Sequence, residues 1–262
     1  MKSIAFFGDP HFGSRHGLWP VSWLPNDSPY SGVRYLGQCF DHLVASWPDV
    51  DVLILMGDLI EGKAQKSQAT GVFTANVGEQ VKGAIEGLRP LAAKAKRILR
   101  VTGTPYHDQF DDPLATLDLA LGVERVQQVF NISLPTPDGR PSVLNVAHHP
   151  PGGGVLYEAT KLNRQILWNI IASTTRKIPA ARWIVRAHLH SFSVLRLKGI
   201  TAAINPCMKL ADGYAVKGNY EGWQPDLGGM LLVRDDTDVT GWRFRETIYE
   251  NPQEELLELV ER

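Results

Sequence analysis

Short apolar runs alternate along this chain with longer stretches whose apolar positions recur every three or four residues. The runs of strand length are Ser3 to Phe7, Val52 to Met56, Arg97 to Val101 and Val143 to Ala147. Arg182 to Ala187, Val194 to Leu197, Ile200 to Ile204, Met230 to Val233 and Trp242 to Thr247 follow. Near-continuous apolarity, as in Val52-Leu53-Ile54-Leu55-Met56, predicts a strand buried on both faces.

Helical periodicity predicts elements over Val33 to Ser46 and Val77 to Lys96. A third helix is predicted to open at Asp112-Pro113, where a capping carboxylate precedes a proline in the first helical position. It carries Leu114, Leu117 and Leu121 and stops at Gly122. A fourth follows Gly152-Gly153-Gly154, with Leu162, Ile166 and Ile170 four residues apart. Asn251-Pro252-Gln253-Glu254 reads as a capping box before a short terminal helix. Strand and helix alternate in the first half, and strands dominate after Arg182. The pattern predicts an α/β fold of sheets flanked by helices, in a single domain over residues 1–262.

Composition narrows the class. The chain has 262 residues, 44% of them hydrophobic and 21% charged, which is globular and argues against a disordered or fibrous protein. Lys and Arg total 27 against 28 for Asp and Glu, so the basic excess of a protein that coats nucleic acid is missing. Cys39 and Cys207 are too few for a disulfide framework. The start lacks a signal-peptide pattern, and no apolar run reaches the roughly 18 to 20 residues a membrane-spanning helix needs. A soluble, reduced, cytoplasmic protein with no membrane partner is expected.

The histidines carry the chemistry. Six of the eight fall in clusters just after expected strands, where open α/β sheets gather ligand sites. The blocks are Asp9-Pro10-His11, Gly57-Asp58-Leu59-Ile60-Glu61, Gly103-Thr104-Pro105-Tyr106-His107-Asp108, His148-His149-Pro150 and His188-Leu189-His190. Taken singly, each has an ordinary reading: Gly-Asp is a common turn, and His-x-His can be two half-buried histidines. Five successive strand ends delivering imidazole or carboxylate groups exceed what turn chemistry needs. Such donors suit Mn, Fe, Zn, Ni or Co, and there are too many for one ion, so two divalent ions are expected.

In this order the five blocks resemble those of calcineurin-like metallophosphoesterases. The resemblance implies a four-layer α/β/β/α sandwich with a dinuclear site at the strand ends. A looser likeness is to members encoded by bacteriophages and prophages, and thus to a host cytoplasm. It rests on Gly103-Thr104-Pro105-Tyr106-His107, on Pro151-Gly152-Gly153-Gly154 and on Pro225-Asp226-Leu227-Gly228-Gly229. Carried over residue by residue, one metal takes Asp9, His11 and His190, the other takes His148 and His188, and Asp58 bridges them. His148 is preferred to His149 because the family's histidine stands two residues before the proline; His149 then packs or meets substrate. Manganese is the first expectation for both metals.

The third block departs from the family, where Gly-Asn-His is usual. Thr104 stands in place of the asparagine, and His107 comes three residues after Thr104 instead of one. Thr104 as a weak metal ligand, or Asp108 in its stead, is one expectation. His107 as the catalytic histidine that protonates the leaving group is another. Glu61 is expected to orient a histidine ligand or a metal-bound water.

The implied activity is a metal-dependent phosphoesterase acting through a metal-activated hydroxide. A phosphodiesterase on nucleic acid or nucleotide diesters comes first. A phosphomonoesterase, or a non-catalytic metal-binding scaffold, is the alternative. Arg15, Lys161, Arg164 and Lys209 lie near the blocks and either meet phosphate oxygens or are solvated surface charge. The segment from Leu18 to Tyr35, with Trp19, Trp23, Tyr30 and Tyr35, either caps the site or is pinned elsewhere by its aromatics. Oligomeric state is not legible.

Overall fold

In β1 (Ser3–Phe7) successive side chains leave opposite faces of the sheet, and the two faces meet different neighbours. Ala5 and Phe7 enter a cluster beneath helices, while Ile4 and Phe6 enter a cluster between two sheets. β2 (Val52–Leu55) divides in the same way: Leu53 and Leu55 face the helices, Val52 and Ile54 the second sheet. Such double burial is what the unbroken apolar runs require, at roughly 1.5–3 kcal/mol per fully buried Leu, Ile or Phe. These relations come from a computed structural model that describes residues 1–24, 31–63, 70–108, 113–137, 139, 142–150, 158–212, 224–238 and 240–252.

The remaining strands are β3 (Ile98–Val101), β4 (Val123–Gln127), β5 (Val129–Leu134), β6 (Ser142–Ala147) and β7 (Ala181–Arg186). β8 (Ser193–Leu197), β9 (Ile200–Ile204), β10 (Leu227–Arg234) and β11 (Trp242–Tyr249) complete the set. They form a six-stranded sheet in the order β11-β10-β1-β2-β3-β4 and a five-stranded sheet in the order β5-β6-β7-β9-β8. β1, β2, β3 and β4 run parallel to one another in the first sheet, as do β6, β7 and β9 in the second, while β10, β11, β5 and β8 pair antiparallel.

Helices α1 (Ser31–Ser46), α2 (Val77–Ala92) and α3 (Ala115–Leu121) cover the first sheet through Leu36, Leu43, Val81, Leu88, Leu117 and Leu121. Helix α4 (Glu158–Thr174) covers the second sheet, where Leu162 and Ile166 meet Ile184, Ala202 and Ile204. Between the sheets lie Leu144, Val146, Trp183, Val185, Met230 and Trp242. The result is a mixed α/β fold of four layers, helices–sheet–sheet–helix. Among the described residues no helix is long and apolar enough to cross a membrane.

Two strands escape the pattern reading. β4 is almost wholly exposed and carries Glu124, Arg125 and Gln127, so its pairing with β3 is an edge pairing without an apolar signature. β5 alternates Phe130, Ile132 and Leu134 on its covered face with exposed or polar positions between them, a period-two pattern outside the expected apolar runs, and it pairs with β6. Helix α3 begins at Ala115, after an N-cap Leu114 with no side-chain cap, so it starts later than the expected Asp112-Pro113. Gly122 does close it in the left-handed conformation, at φ 73°. Helix α2 ends at Ala92, short of Lys96. Asp112 itself, Gly152 to Gly154, Tyr30 and the expected terminal helix lie outside the described residues.

Candidate metal centre

Parallel strands bring their C-terminal ends to one edge, and the five histidine and carboxylate blocks follow β1, β2, β3, β6 and β7 there. The backbone at this edge is unusual. Among the described residues seven non-glycine positions have positive φ, and five of them are Asp9, His11, Asp58, His188 and His190. Each such position costs on the order of 1–3 kcal/mol unless its surroundings hold it. The turns are pinned by backbone bonds between blocks: Asp9 N–H donates to Gly57 O at 3.1 Å and His11 N–H to Asp58 O at 3.2 Å.

The side chains converge in overlapping sets. Donor atoms of Asp9, His11 and His190 lie within 4.8 Å of one another, as do those of Asp58, His148 and His188. His11, Asp58 and His107 form a third set, so Asp58 is shared between the histidines of both sides. Asp9 Oδ1 lies 3.6 Å from His190 Nε2 and 3.9 Å from His148 Nε2, which joins the first set to the second. His11 Nε2 and His190 Nε2 approach to 3.3 Å.

Tautomers follow from the outer contacts. His11 Nδ1 donates to Glu61 Oε2 at 2.9 Å, which leaves the Nε2 lone pair turned inward. His148 Nδ1 donates to Met56 O at 2.7 Å, again freeing Nε2. That Nε2 lies 3.1 Å from Asp58 Oδ2, and among the described residues it and Asp9 Oδ1 are buried atoms that reach hydrogen-bond geometry with no partner. Two buried carboxylates facing that nitrogen call for positive charge, either a proton on Nε2 or a cation in its place. The residues therefore fit a divalent metal.

The titration of the groups says the same. Burial alone would lower the His148 imidazole, but the charges of Asp58 and Asp9 outweigh it and raise it to about 10. Burial would raise Asp58, yet the charge of His148 holds it well below the ordinary carboxylate range. Burial, with Lys209 and His107 nearby, keeps His11 neutral at about 3, the form that can ligate. Burial opposes the charge of Glu61 too, and the His11 hydrogen bond and Lys209 overcome it.

The altered third block folds back onto the site. Residues 105–108 form a turn in which His107 and Asp108 N–H both donate to Thr104 O, at 3.1 and 2.8 Å. This brings His107 edge-on to His11 at 4.5 Å, its Nδ1 donating to Glu61 O at 2.7 Å. Thr104 gives both its backbone N–H (2.6 Å) and its hydroxyl (3.0 Å) to Asp58 Oδ1. Gly103 permits this approach, since a Cβ there would meet Asp58 N at 2.2 Å and Asp58 Oδ1 at 2.3 Å. Asp108 is buried, accepts from Gly103 N–H and lies 3.5 Å from Arg100 Nη1. Burial, then Asp58, pushes its carboxyl up to about 7.

His149 lies at the rim, its ring 4.4 Å from that of His188, whose side chain is 38% exposed. Arg15 is exposed, with Nε donating to Val72 O, and Arg164 is exposed on α4. The described part of the aromatic segment packs toward α2 and Phe73. Trp19 stacks on Phe73 at 5.6 Å, and Trp23 Nε1 donates to Glu86 of α2. Lys209 is buried with its Nζ 2.9 Å from Asp212 and 3.4 Å from Glu61, not on a solvated surface. Sequence reasoning missed Asp212 and the Met56 carbonyl, which carry no motif, and it placed Gly103 in the third block without reading its close approach to Asp58.

No protein-family model matches the chain, and no curated protein matches it. Solved structures do. Vps29 from Entamoeba histolytica, complexed with Zn²⁺, is 14% identical, with 94% of this chain and 98% of that one covered at a TM-score of 0.46. An archaeal phosphodiesterase is 12% identical, with 94% and 99% covered and a TM-score of 0.46. A conserved uncharacterized protein of Streptococcus pneumoniae, a predicted phosphoesterase, is 11% identical, with 94% and 98% covered and a TM-score of 0.38. Likenesses this remote leave the chemistry to be read from the site itself.

Proposed function

We propose that this chain is a dinuclear metal-dependent phosphoesterase that hydrolyses phosphodiesters of nucleic acids or nucleotides. The observation that carries the reading is the two donor sets, Asp9–His11–His190 and Asp58–His148–His188, linked by a third that joins Asp58 to His11, with the buried polar atoms Asp9 Oδ1 and His148 Nε2 between them. Asp9, His11 and His190 would hold one divalent ion, His148 and His188 the other, and Asp58 both. Manganese is the proposed ion, with Fe, Zn, Ni or Co as substitutes. When bound, two such ions supply Lewis acidity toward phosphoryl oxygens and an activated water.

The remaining residues position and protonate. Thr104 acts by fixing Asp58 through two donors, in preference to ligating a metal. Glu61 orients His11. His107 is held at Nδ1 by the Glu61 carbonyl, which leaves Nε2 as the nitrogen to deliver a proton to the departing alkoxide. His149, beside His188, is a rim group for substrate. The buried cation next to Glu61, Lys209, is already matched by two carboxylates. A singly charged diester suits that balance better than a dianionic monoester, which asks for further cationic donors. Relation to phage-encoded members, and with it a cytoplasmic setting, is part of the proposal on the third block and Pro225 to Gly229.

Paired nitrophenyl phosphate diester and monoester substrates with Mn²⁺-loaded protein test the proposal. Diester turnover should dominate, and Asp58→Asn should lower it by about a thousandfold, the order expected on removing a group that stabilises transition-state charge. Monoester preference would replace diester by monoester as substrate. Metal binding without turnover of either would leave a metal-binding scaffold.

A further inference from the structure

Lys209 is buried in a chain of charges that ends on a metal-site histidine. Its Nζ lies 2.9 Å from Asp212 Oδ2 and 3.4 Å from Glu61 Oε2, and the same Glu61 oxygen accepts from His11 Nδ1 at 2.9 Å. The side chain of Lys209 is 6% exposed and that of Glu61 13%. The backbone around Lys209 is stitched to the first block: Met208 N–H donates to Asp9 O at 3.3 Å and Leu210 N–H to His16 O at 2.8 Å. Gly17 and Lys209 pair as an isolated antiparallel bridge between these contacts. The segment after β9 thus clasps the loop that carries Asp9 and His11.

We infer that Lys209 is a positioning residue for the metal held by Asp9, His11 and His190, acting through Glu61; this rests on those three residues being a metal-binding set. An ammonium group shares one carboxylate oxygen with an imidazole N–H and fixes where that oxygen sits. The oxygen in turn fixes the His11 ring and directs its Nε2 toward Asp9 and His190. A carboxylate contacted only by His11 would be free to rotate and to withdraw. With two carboxylates at its Nζ, Lys209 is engaged on the protein side of the site and is not the group that meets substrate phosphate.

Calorimetric titration with Mn²⁺ alone tests this on wild type, Lys209→Met, Lys209→Arg, Glu61→Gln and Glu61→Gln/Lys209→Met, with thermal unfolding of each as the fold control. Lys209→Met should weaken one of the two Mn²⁺ sites by roughly tenfold, the lower end of what lost outer contacts cost a metal site. Lys209→Arg should bind closer to wild type. The double variant should bind no more weakly than Glu61→Gln, because the lysine acts only through that carboxylate. Folded Lys209→Met with wild-type affinity, or additive losses in the double variant, would overturn the inference while leaving the metal site standing. If Lys209→Met does not fold, the comparison of Glu61→Gln with the double variant, in which both charges of the pair are removed together, decides it in the same way. Wild type that binds no Mn²⁺ would overturn the metal reading and this inference with it.

Discussion

The two halves of the site use the same residue types and are held by different means. Asp9, His11 and His190 are backed by a chain of formal charges, Asp212–Lys209–Glu61, that reaches His11 from outside. Asp58, His148 and His188 are backed by neutral dipoles: Thr104 N–H and hydroxyl on Asp58, and Met56 O on His148. His188 is also the more open histidine, with 38% of its side chain exposed against 17% for His190. Charges buried in pairs hold strongly but fail badly when one is removed, whereas neutral donors cost little to bury and orient by geometry. The first half should therefore respond to charge changes far from the ligands. The second should respond to sub-ångström changes in backbone shape.

Gly103→Ala tests the second half hardest. The added Cβ would fall at 2.2–2.3 Å from Asp58 N and Oδ1, so Asp58 or the 103–108 turn has to move. Overpacking of this kind costs roughly 1–3 kcal/mol, which denaturant unfolding should show. Mn²⁺ stoichiometry should drop from two to one, with the ion at Asp9, His11 and His190 retained. Loss of both ions, or of neither, would mean that the halves are not separable.

A pH scan of metal-free protein probes the cation that the second half demands. His148 is raised from 6.5 to about 10 in the folded state, against burial, by Asp58 and Asp9. Its contribution to stability is then fully present below pH 6.5 and is lost as pH rises through about 10. The melting temperature of metal-free protein should fall across that window. With Mn²⁺ in place of the proton, the fall attributable to His148 should vanish. An identical slope in His148→Gln would assign the loss to other groups.

The smallest expected effect is that of Thr104→Val, which removes the 3.0 Å hydroxyl bond to Asp58 but keeps the 2.6 Å backbone bond. A hydrogen bond to a charged carboxylate contributes about 1.5–3 kcal/mol, so diester turnover should fall by about tenfold to a hundredfold. Thr104→Ser should retain it. A loss as large as that of Asp58→Asn would instead make Thr104 a metal ligand, as the third block first suggested.

Period-two alternation and unbroken apolar runs made most strands legible, because a strand buried on both faces must be apolar throughout. β4 was not legible, since its edge position asks little of its side chains. The five blocks were legible as candidate chemistry because five successive strand ends delivering imidazole or carboxylate groups exceed what turn chemistry needs. The offset of His107 and its return to the site were readable, but the means of the return was not: it depends on the Thr104 carbonyl accepting two N–H groups in one turn.

What the sequence determined by itself, then, is which segments become buried strands and which strand ends carry imidazole and carboxylate groups. Those properties are local, set by side-chain polarity and spacing within a few residues. Only the tertiary structure decided how each group is held. Thr104 meets Asp58 across 46 residues, Met56 meets His148 across 92, and Lys209 meets Glu61 across 148. A hydrogen bond or ion pair is chosen by distance in space, and no periodicity along the chain records which distant segment the fold will lay beside another.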